Sequence, residues 1–411
     1  MQQTEEQHMT EAIIRVGALC ILVFLMVASG ASFVLALDRI GGQPLGSTPA
    51  TLFPETTMRS GVLVTSDGRE LWSRDPAERR AMASTTKIMT ALVAMENTAP
   101  EEIVTVTSRH MSVGGSNANL RPGEQLTVSD AIEAILLVSA NEVAIALAEH
   151  VSGSQSGFVE KMNSRAQQLG MLDTRFENAH GLDTPGHYSS ARDLALLARY
   201  AMTVDEFRAV AIMDSFDPDG PGERESAPNT NLLVGEFEGA TGVKTGWTSR
   251  AGHSLIASSK RGDVELFAVV LGSPDENARF DDAAKLLQWG HENFVVRRLV
   301  NKGSTFGQVP VSQYLDRSTS AVAATSLEVP VFSADGEVTF DIILYPEISA
   351  PVTIDTRLGT LTVTQGERLL GRIPLVATED VPAPGFFESA WIALQRLVDS
   401  VFGRERTITV E

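Results

Sequence analysis

The sequence holds a single cysteine, Cys20, in 411 residues. No intrachain disulfide, cysteine-ligated metal site or thiol chemistry is therefore open to the globular part of the chain. Cys20 lies inside an apolar run and follows Leu19, a poor setting for a lipid-modified cysteine and an ordinary one for an inert membrane residue. Positive charge is also scarce: 33 Lys and Arg face 52 Asp and Glu, a net charge of −19. That balance excludes nucleic acid as a partner, because phosphate binding needs a basic surface. It also argues against broad electrostatic attraction to anionic lipid. His180, His187 and His253 have no ligand-like spacing, so no metal and no cofactor is implied. No internal repeat of helical or propeller period is present.

There is one long hydrophobic run. From Val16 to Leu37 no charge interrupts the chain. The run exceeds the ~7–15 residues of a signal-peptide core and reaches the ~20 of a spanning helix. Its length favours an uncleaved anchor, while the small residues Ala28, Ser29, Gly30 and Ala31 leave cleavage open. Either reading sends the remaining chain across a membrane.

The chain divides into a polar tail (1–11), a transmembrane or signal segment (12–37), a Gly/Pro/Thr-rich linker (38–57), a large mixed domain (58–295), a small all-β domain (296–381), and an amphipathic helix with a tail (382–411). Within the large domain, Gly61–Thr65 and Glu70–Ser73 flank Asp67-Gly68, a hairpin signal. Helical periodicity marks the stretch after Ser84, residues 129–150 with a break near Ser139-Ala140-Asn141, Phe158–Leu169 and Ala191–Met202. Residues 214–230 read as an exposed loop. Three strands follow, Gly242–Trp247, His253–Ser258 and Val264–Leu271, then a helix over 275–294. The fold class is α+β: one antiparallel sheet with helices packed on it. Beyond residue 297, Gln308–Val311, Ser326–Val331, Glu337–Leu344, Pro351–Asp355, Gly359–Val363 and Gly371–Pro374 are short strand patterns.

Three short constellations carry chemistry. Ser84 and Lys87 stand three apart at a helix start, which puts both side chains on one face. A serine hydroxyl is a poor nucleophile until a base takes its proton, and a lysine serves only if burial or a neighbouring cation lowers its pKa. Ser-x-x-Lys arises by chance roughly once or twice in such a chain, and a serine there is otherwise an N-cap. Ser139 and Asn141 place a hydroxyl and an amide at a break between apolar segments, where capping is the alternative. Lys244, Thr245 and Gly246 sit in a strand pattern. They offer fixed charge, a hydroxyl and close backbone approach, or simply an edge strand with a bulge.

In this order the three motifs resemble those of penicillin-binding proteins and serine β-lactamases. The stretches ASTTKIMTAL, LLVSANEVAIALAEHVSGS, FVEKMNSRAQQLGMLDTRFENAHGL, YSSARDLALLAR and GVKTGWT are similar to one branch, the low-molecular-mass D-alanyl-D-alanine carboxypeptidases. The resemblance runs from about residue 58 to 294, and with weaker motifs through the β domain and last helix. It implies a β-lactamase/transpeptidase-like catalytic domain that removes the terminal D-alanine of peptidoglycan stem peptides, with β-lactams as covalent inhibitors. Ser84 would be the nucleophile and Lys87 its base. Ser139 would relay a proton to the leaving D-alanine, and Asn141 would position Lys87 and the substrate amide. Lys244 would hold the electrostatics and Thr245 the terminal carboxylate. The N–H groups of Ser84 and Trp247 would form the oxyanion hole. Arg279 matches a carboxylate-binding arginine of some members, or is a surface helix arginine.

Two other readings compete. A β-lactamase would need a deacylating glutamate, and Glu142 and Glu177 sit in no such motif; Ala140 also stands where class A enzymes carry aspartate. A non-catalytic, wall-associated protein is the other. The last helix, 386–402, lines up Phe387, Trp391, Leu394, Val398 and Val401 opposite Glu388, Gln395, Arg396 and Asp399. It is too short and too charged to span a bilayer, and fits a helix lying in the interface or packed on the β domain. The expected location is the extracytoplasmic, periplasmic face of the cell membrane.

Overall fold

A computed structural model describes residues 39–40, 43–44, 53–217 and 226–402. The apolar run with Cys20 and the end of the tail lie outside these. Among the described residues no helix is long and apolar enough to cross a membrane. Within the linker, Arg39–Ile40 pairs antiparallel with Gln43–Pro44. One compact unit covers Thr51–Val295, and a second takes in the chain from Val296 onward.

In the first unit, β1 (Ser60–Thr65) and β2 (Glu70–Arg74) form the hairpin. The 3-10 turn Ala83–Thr86 leads directly into α1 (Lys87–Met95). A small ribbon, β3 (Ile103–Val106) with β4 (Glu124–Thr127), frames residues 107–123. Then come α2 (Val128–Leu137), α3 (Asn141–Ser152), α4 (Gln155–Leu169), α5 (Ala191–Ala201) and α6 (Asp205–Ala211). The strands β5 (Ala240–Thr248), β6 (Gly252–Arg261) and β7 (Val264–Ser273) precede α7 (Glu276–Asn293). The sheet order is β2-β1-β7-β6-β5, antiparallel throughout.

Both faces of this sheet are covered, which is why its central strands are apolar without alternation. All six residues of β1 are buried. Val62, Val64, Phe267 and Val269 join the core shared with the helices α1 to α6. On the other face α7 packs on β7 and β6. There Gly290 comes so near that a Cβ would lie 2.6 Å from Leu266 and 2.9 Å from Leu63. Strand β5, with Lys244-Thr245-Gly246, is left at the sheet edge beside the 3-10 turn.

Residues 218–225 lie outside the described residues, and at its two described ends the 214–230 stretch is not wholly an exposed loop. Ser215–Phe216 pairs with Ala227–Pro228, and Phe216, Asn229 and Asn231 are buried. The Asn229 N–H donates to the Asp214 carbonyl at 2.8 Å and its side-chain amide to the Met213 carbonyl at 2.9 Å. The buried Asn229 thus spends its amide and N–H on internal hydrogen bonds.

The second unit is all-β with a terminal helix. A five-stranded antiparallel sheet and a separate strand pair are built from β8 (Phe294–Val300), β9 (Thr305–Pro310), β10 (Ser318–Ala323), β11 (Leu327–Phe332), β12 (Val338–Leu344), β13 (Arg357–Gln365) and β14 (Arg368–Ala377). The five-stranded order is β9-β10-β14-β13-β12, and β8 pairs with β11. Pro351–Asp355 is not a strand. Val352 makes only an isolated bridge to Val381, because Pro351 gives the ladder no N–H and Asp355 turns at φ 67°. The helix α8 spans Phe386–Phe402.

Candidate active site

The turn that carries Ser84 is made by its own side chains. Thr85 Oγ1 donates to the Met82 carbonyl at 2.6 Å and Thr86 Oγ1 to the Ala83 carbonyl at 2.8 Å. Such local bonds tighten the backbone ahead of the helix. Ala83 takes a left-handed φ of 50°. Lys87 then opens α1 with its side chain turned inward, wholly buried.

The Lys87 amine contacts three oxygens: Ser84 Oγ at 3.0 Å, Asn141 Oδ1 at 2.7 Å and the His180 carbonyl at 2.6 Å. Burial, reinforced by the nearby Lys244, holds its pKa well below the usual lysine range, against the pull of Glu142.

Asn141 begins α3, yet neither it nor Ser139 caps a helix. The cap position is Ala140, with no side-chain cap bond. Ser139 occupies the break between α2 and α3 at φ 63°, buried. The Asn141 amide nitrogen donates to the Gly114 carbonyl at 2.9 Å, its backbone N–H to the Ser116 carbonyl at 2.9 Å. Glu142 Oε1 accepts from the Ala118 N–H at 2.6 Å. The 114–118 loop is thereby fixed onto the start of α3 by Glu142 Oε1, while Glu142 Oε2 is buried with no hydrogen-bond partner among the described residues. Glu177 pairs with Arg175 at 2.6 Å.

Gly246 lies against the nucleophile turn: a Cβ there would sit 3.1 Å from both the Ser84 nitrogen and Ala83 Cβ. Lys244 is buried. Burial, and secondly Arg279, bring its pKa down to about 7. Thr245 Oγ1 lies 2.8 Å from Thr230 Oγ1, which itself donates to the Leu137 carbonyl at 3.0 Å, just ahead of Ser139. Trp247, next on the strand, is exposed and stacks at a tilt on His253, with ring centroids 5.9 Å apart.

Arg279 is not a surface arginine. It is 5% exposed, bonds Glu276 Oε1 at 2.6 Å and approaches the Gly246 carbonyl at 3.4 Å. Ser84, Lys87 and Asn141 are thus joined by hydrogen bonds, Gly246 abuts Ser84 by close packing, and Lys244 and Arg279 join them through charge.

Sequence reasoning missed three contributors. Thr230 lies in the stretch read as exposed. His180 and His187 read as packing or loop histidines, but the His180 carbonyl contacts Lys87, and His187 Nε2 lies 2.8 Å from Thr86 Oγ1. A main-chain carbonyl has no sequence signal.

The sequence profile of the D-alanyl-D-alanine carboxypeptidases matches residues 48–275. That of the C-terminal domain of penicillin-binding protein 5 matches residues 294–383. The chain is 33% identical to the D-alanyl-D-alanine carboxypeptidase DacF of Bacillus subtilis, over 80% of this chain and 87% of that one. It is 31% identical to DacC of Escherichia coli, over 82% and 88%. Among solved structures, penicillin-binding protein 5 from Haemophilus influenzae is similar with a TM-score of 0.60 at 29% identity, covering 81% of this chain and 99% of that one. With these matches spanning both units, the chain belongs to the D-alanyl-D-alanine carboxypeptidase family of serine hydrolases.

Proposed function

We propose that Ser84 carries the acyl-enzyme of this D-alanyl-D-alanine carboxypeptidase and that Lys87 is its base. The observation that carries this is the contact set of the Lys87 amine. A neutral amine has two hydrogens and one lone pair. The hydrogens fit the two pure acceptors, Asn141 Oδ1 and the His180 carbonyl. The lone pair then faces Ser84 Oγ, which gives up its proton as it attacks the penultimate D-alanine carbonyl of a peptidoglycan stem peptide. The Ser84 and Trp247 N–H groups receive the oxyanion. Ser139 passes a proton to the departing D-alanine amine. Thr245, supported by Lys244 and Arg279, holds the terminal carboxylate. Water, activated by Lys87, cleaves the ester and frees Ser84. β-Lactams acylate the same hydroxyl.

Intact-mass spectrometry after incubation with penicillin tests the assignment. The wild-type chain gains one penicilloyl mass and releases D-alanine from diacetyl-Lys-D-Ala-D-Ala. Ser84→Ala gains none and stays folded, because a half-buried hydroxyl contributes little to packing. A labelled Ser84→Ala chain overturns it.

The location is part of the same reading: the extracytoplasmic, periplasmic face of the cell membrane. Helix α8 supports it. Phe386, Phe387, Trp391, Leu394, Leu397 and Val398 are all exposed. Ile392 is buried and the Arg396 guanidinium bonds the Ser312 carbonyl, so the helix touches its own unit while those six side chains stay uncovered. That suits an interfacial helix held by apolar area.

A further inference from the structure

Thr86 points into the protein, fully buried, on the side of the turn away from solvent. Its hydroxyl has one hydrogen and two partners, the Ala83 carbonyl and His187 Nε2, each at 2.8 Å. The direction of the chain is set at the histidine. The Glu177 N–H donates to His187 Nδ1 at 3.0 Å, so Nδ1 is the acceptor and the neutral ring carries its proton on Nε2. Nε2–H donates to Thr86 Oγ1, which leaves the threonine hydrogen for Ala83. Burial brings the His187 pKa down to about 4, in keeping with a neutral ring.

The Ala83 carbonyl shares a peptide plane with the Ser84 N–H. In a trans peptide the two point in opposite directions. Holding the oxygen on one side aims the N–H to the other. This N–H lies in the first turn of a helix, where it has no intrahelical acceptor. The plane needs holding, since Ala83 sits at a φ of 50° that an alanine rarely adopts. Gly181 lies over the same plane: a Cβ there would be 2.0 Å from the Ala83 oxygen. The loop that brings the His180 carbonyl to Lys87 therefore also brings Gly181 and His187 to the peptide before the nucleophile.

We propose that His187 is a positioning residue that acts through Thr86 to pin the Ala83 carbonyl and so aim the Ser84 N–H at the oxyanion of the tetrahedral intermediate. This rests on the reading of Ser84 as nucleophile and oxyanion donor. It gives His187 a role separate from acid–base chemistry: the ring touches no substrate and exchanges no proton during turnover.

The test is the split between binding and acylation, measured with a chromogenic cephalosporin on the full-length chain in detergent. Peptide mapping of the wild-type adduct comes first; a label away from Ser84 defeats the underlying reading, whatever the variants do. With the label on Ser84, Thr86→Val and His187→Leu each lower the acylation rate constant at least ~10-fold, an indirect share of the ~10²–10³ that a lost oxyanion donor costs. The dissociation constant of the first, non-covalent complex stays within about twofold, since the oxyanion does not yet exist there. Thr86→Ser keeps the hydroxyl and His187→Gln keeps a donor near Nε2, so both recover most of the rate. Thr86→Val/His187→Leu is no slower than Thr86→Val alone, because one chain is cut in both. Wild-type acylation by Thr86→Val overturns the proposal, as does a Thr86→Ser chain as slow as Thr86→Val, or a loss seen only in binding. If Thr86→Val does not fold, the His187→Leu and His187→Gln pair decides by the same criterion.

Discussion

Lys87 Nζ donates to the main-chain carbonyl of His180 at 2.6 Å, across ninety-three positions of sequence. The base is therefore oriented in part by a group that no side-chain substitution at 180 removes. The imidazole of His180 serves the loop instead, where its Nδ1 accepts the Leu182 N–H at 3.1 Å. His180→Ala should accordingly lose less than about tenfold in kcat/KM. Asn141→Ala deletes a side-chain partner of the base and should lose far more, approaching the ~10²-fold or greater loss expected for Lys87→Ala. Acylation rates of the three variants with penicillin check the ranking; equal losses at 141 and 180 contradict it.

Lys244 predicts an alkaline limb. Its pKa is brought down to about 7 by burial and by Arg279, so its charge disappears as pH rises through that value. Turnover of a peptide ending in a free carboxylate should fall above about pH 7. The corresponding amide, with no charge to attract, should show a flatter profile. Identical limbs for the two substrates would separate Lys244 from the carboxylate.

The same shift carries a stability consequence. The folded pKa lies below the unfolded one, so between about pH 7 and 10.5 the unfolded chain binds more protons. The cost of burying this lysine is full below about pH 7 and fades as pH rises toward 10.5. At ~1.4 kcal/mol per unit it is on the order of 4 kcal/mol near neutrality. Lys244→Met should raise Tm by roughly 8–16 °C at pH 6, less at pH 9, and abolish turnover. Thermal scans at the two pH values check the sign; a fall in Tm at pH 6 refutes it.

Two glycines separate fold from function. At Gly181, φ is +91° and a Cβ would lie 2.0 Å from the Ala83 oxygen. Gly181→Ala should cost about 3 kcal/mol or more and endanger folding. At Gly246 the φ is ordinary and the nearest atoms are 3.1 Å away. Gly246→Ala should keep Tm within a few degrees of wild type while pushing β5 off the nucleophile turn. Displacements on the scale of 1 Å cost up to ~10²-fold in rate, so kcat/KM should fall between ~10- and ~10²-fold. Urea unfolding beside peptide turnover distinguishes the two.

Helix α8 predicts membrane association without the N-terminal apolar run. A chain starting at residue 40 should sediment with liposomes, and added salt should change this little, because exposed aromatic and aliphatic residues outnumber cations on the helix. Trp391→Glu with Leu394→Glu should release it. A 40–411 chain that stays in the supernatant leaves residues 16–37 as the sole anchor.

Much of this architecture is written locally. The apolar spacing after Ser84 yields α1, and a separation of three residues sets Ser84 Oγ and Lys87 Nζ 3.0 Å apart. The break at Ser139–Asn141 and the strand pattern around Lys244 likewise rest on a few neighbouring residues. The ribbon strands β3 and β4 escaped that reading, and two further strands did so for plain local reasons. Ser318–Ala323 is made of small and polar residues, and Phe294–Val300 follows α7 directly with no turn residue between. What periodicity cannot encode is burial and main-chain direction. The low pKa of Lys87 exists only because α1 is covered and Lys244 arrives from an edge strand. Arg279 became a buried cation, not a surface one, because α7 packs against the sheet beside Gly246. The His180 carbonyl and the His187–Thr86–Ala83 chain depend on how one loop closes over the nucleophile turn. A side chain's type is fixed by its codon, but its dielectric surroundings and the aim of a neighbouring peptide plane are properties of the packed chain.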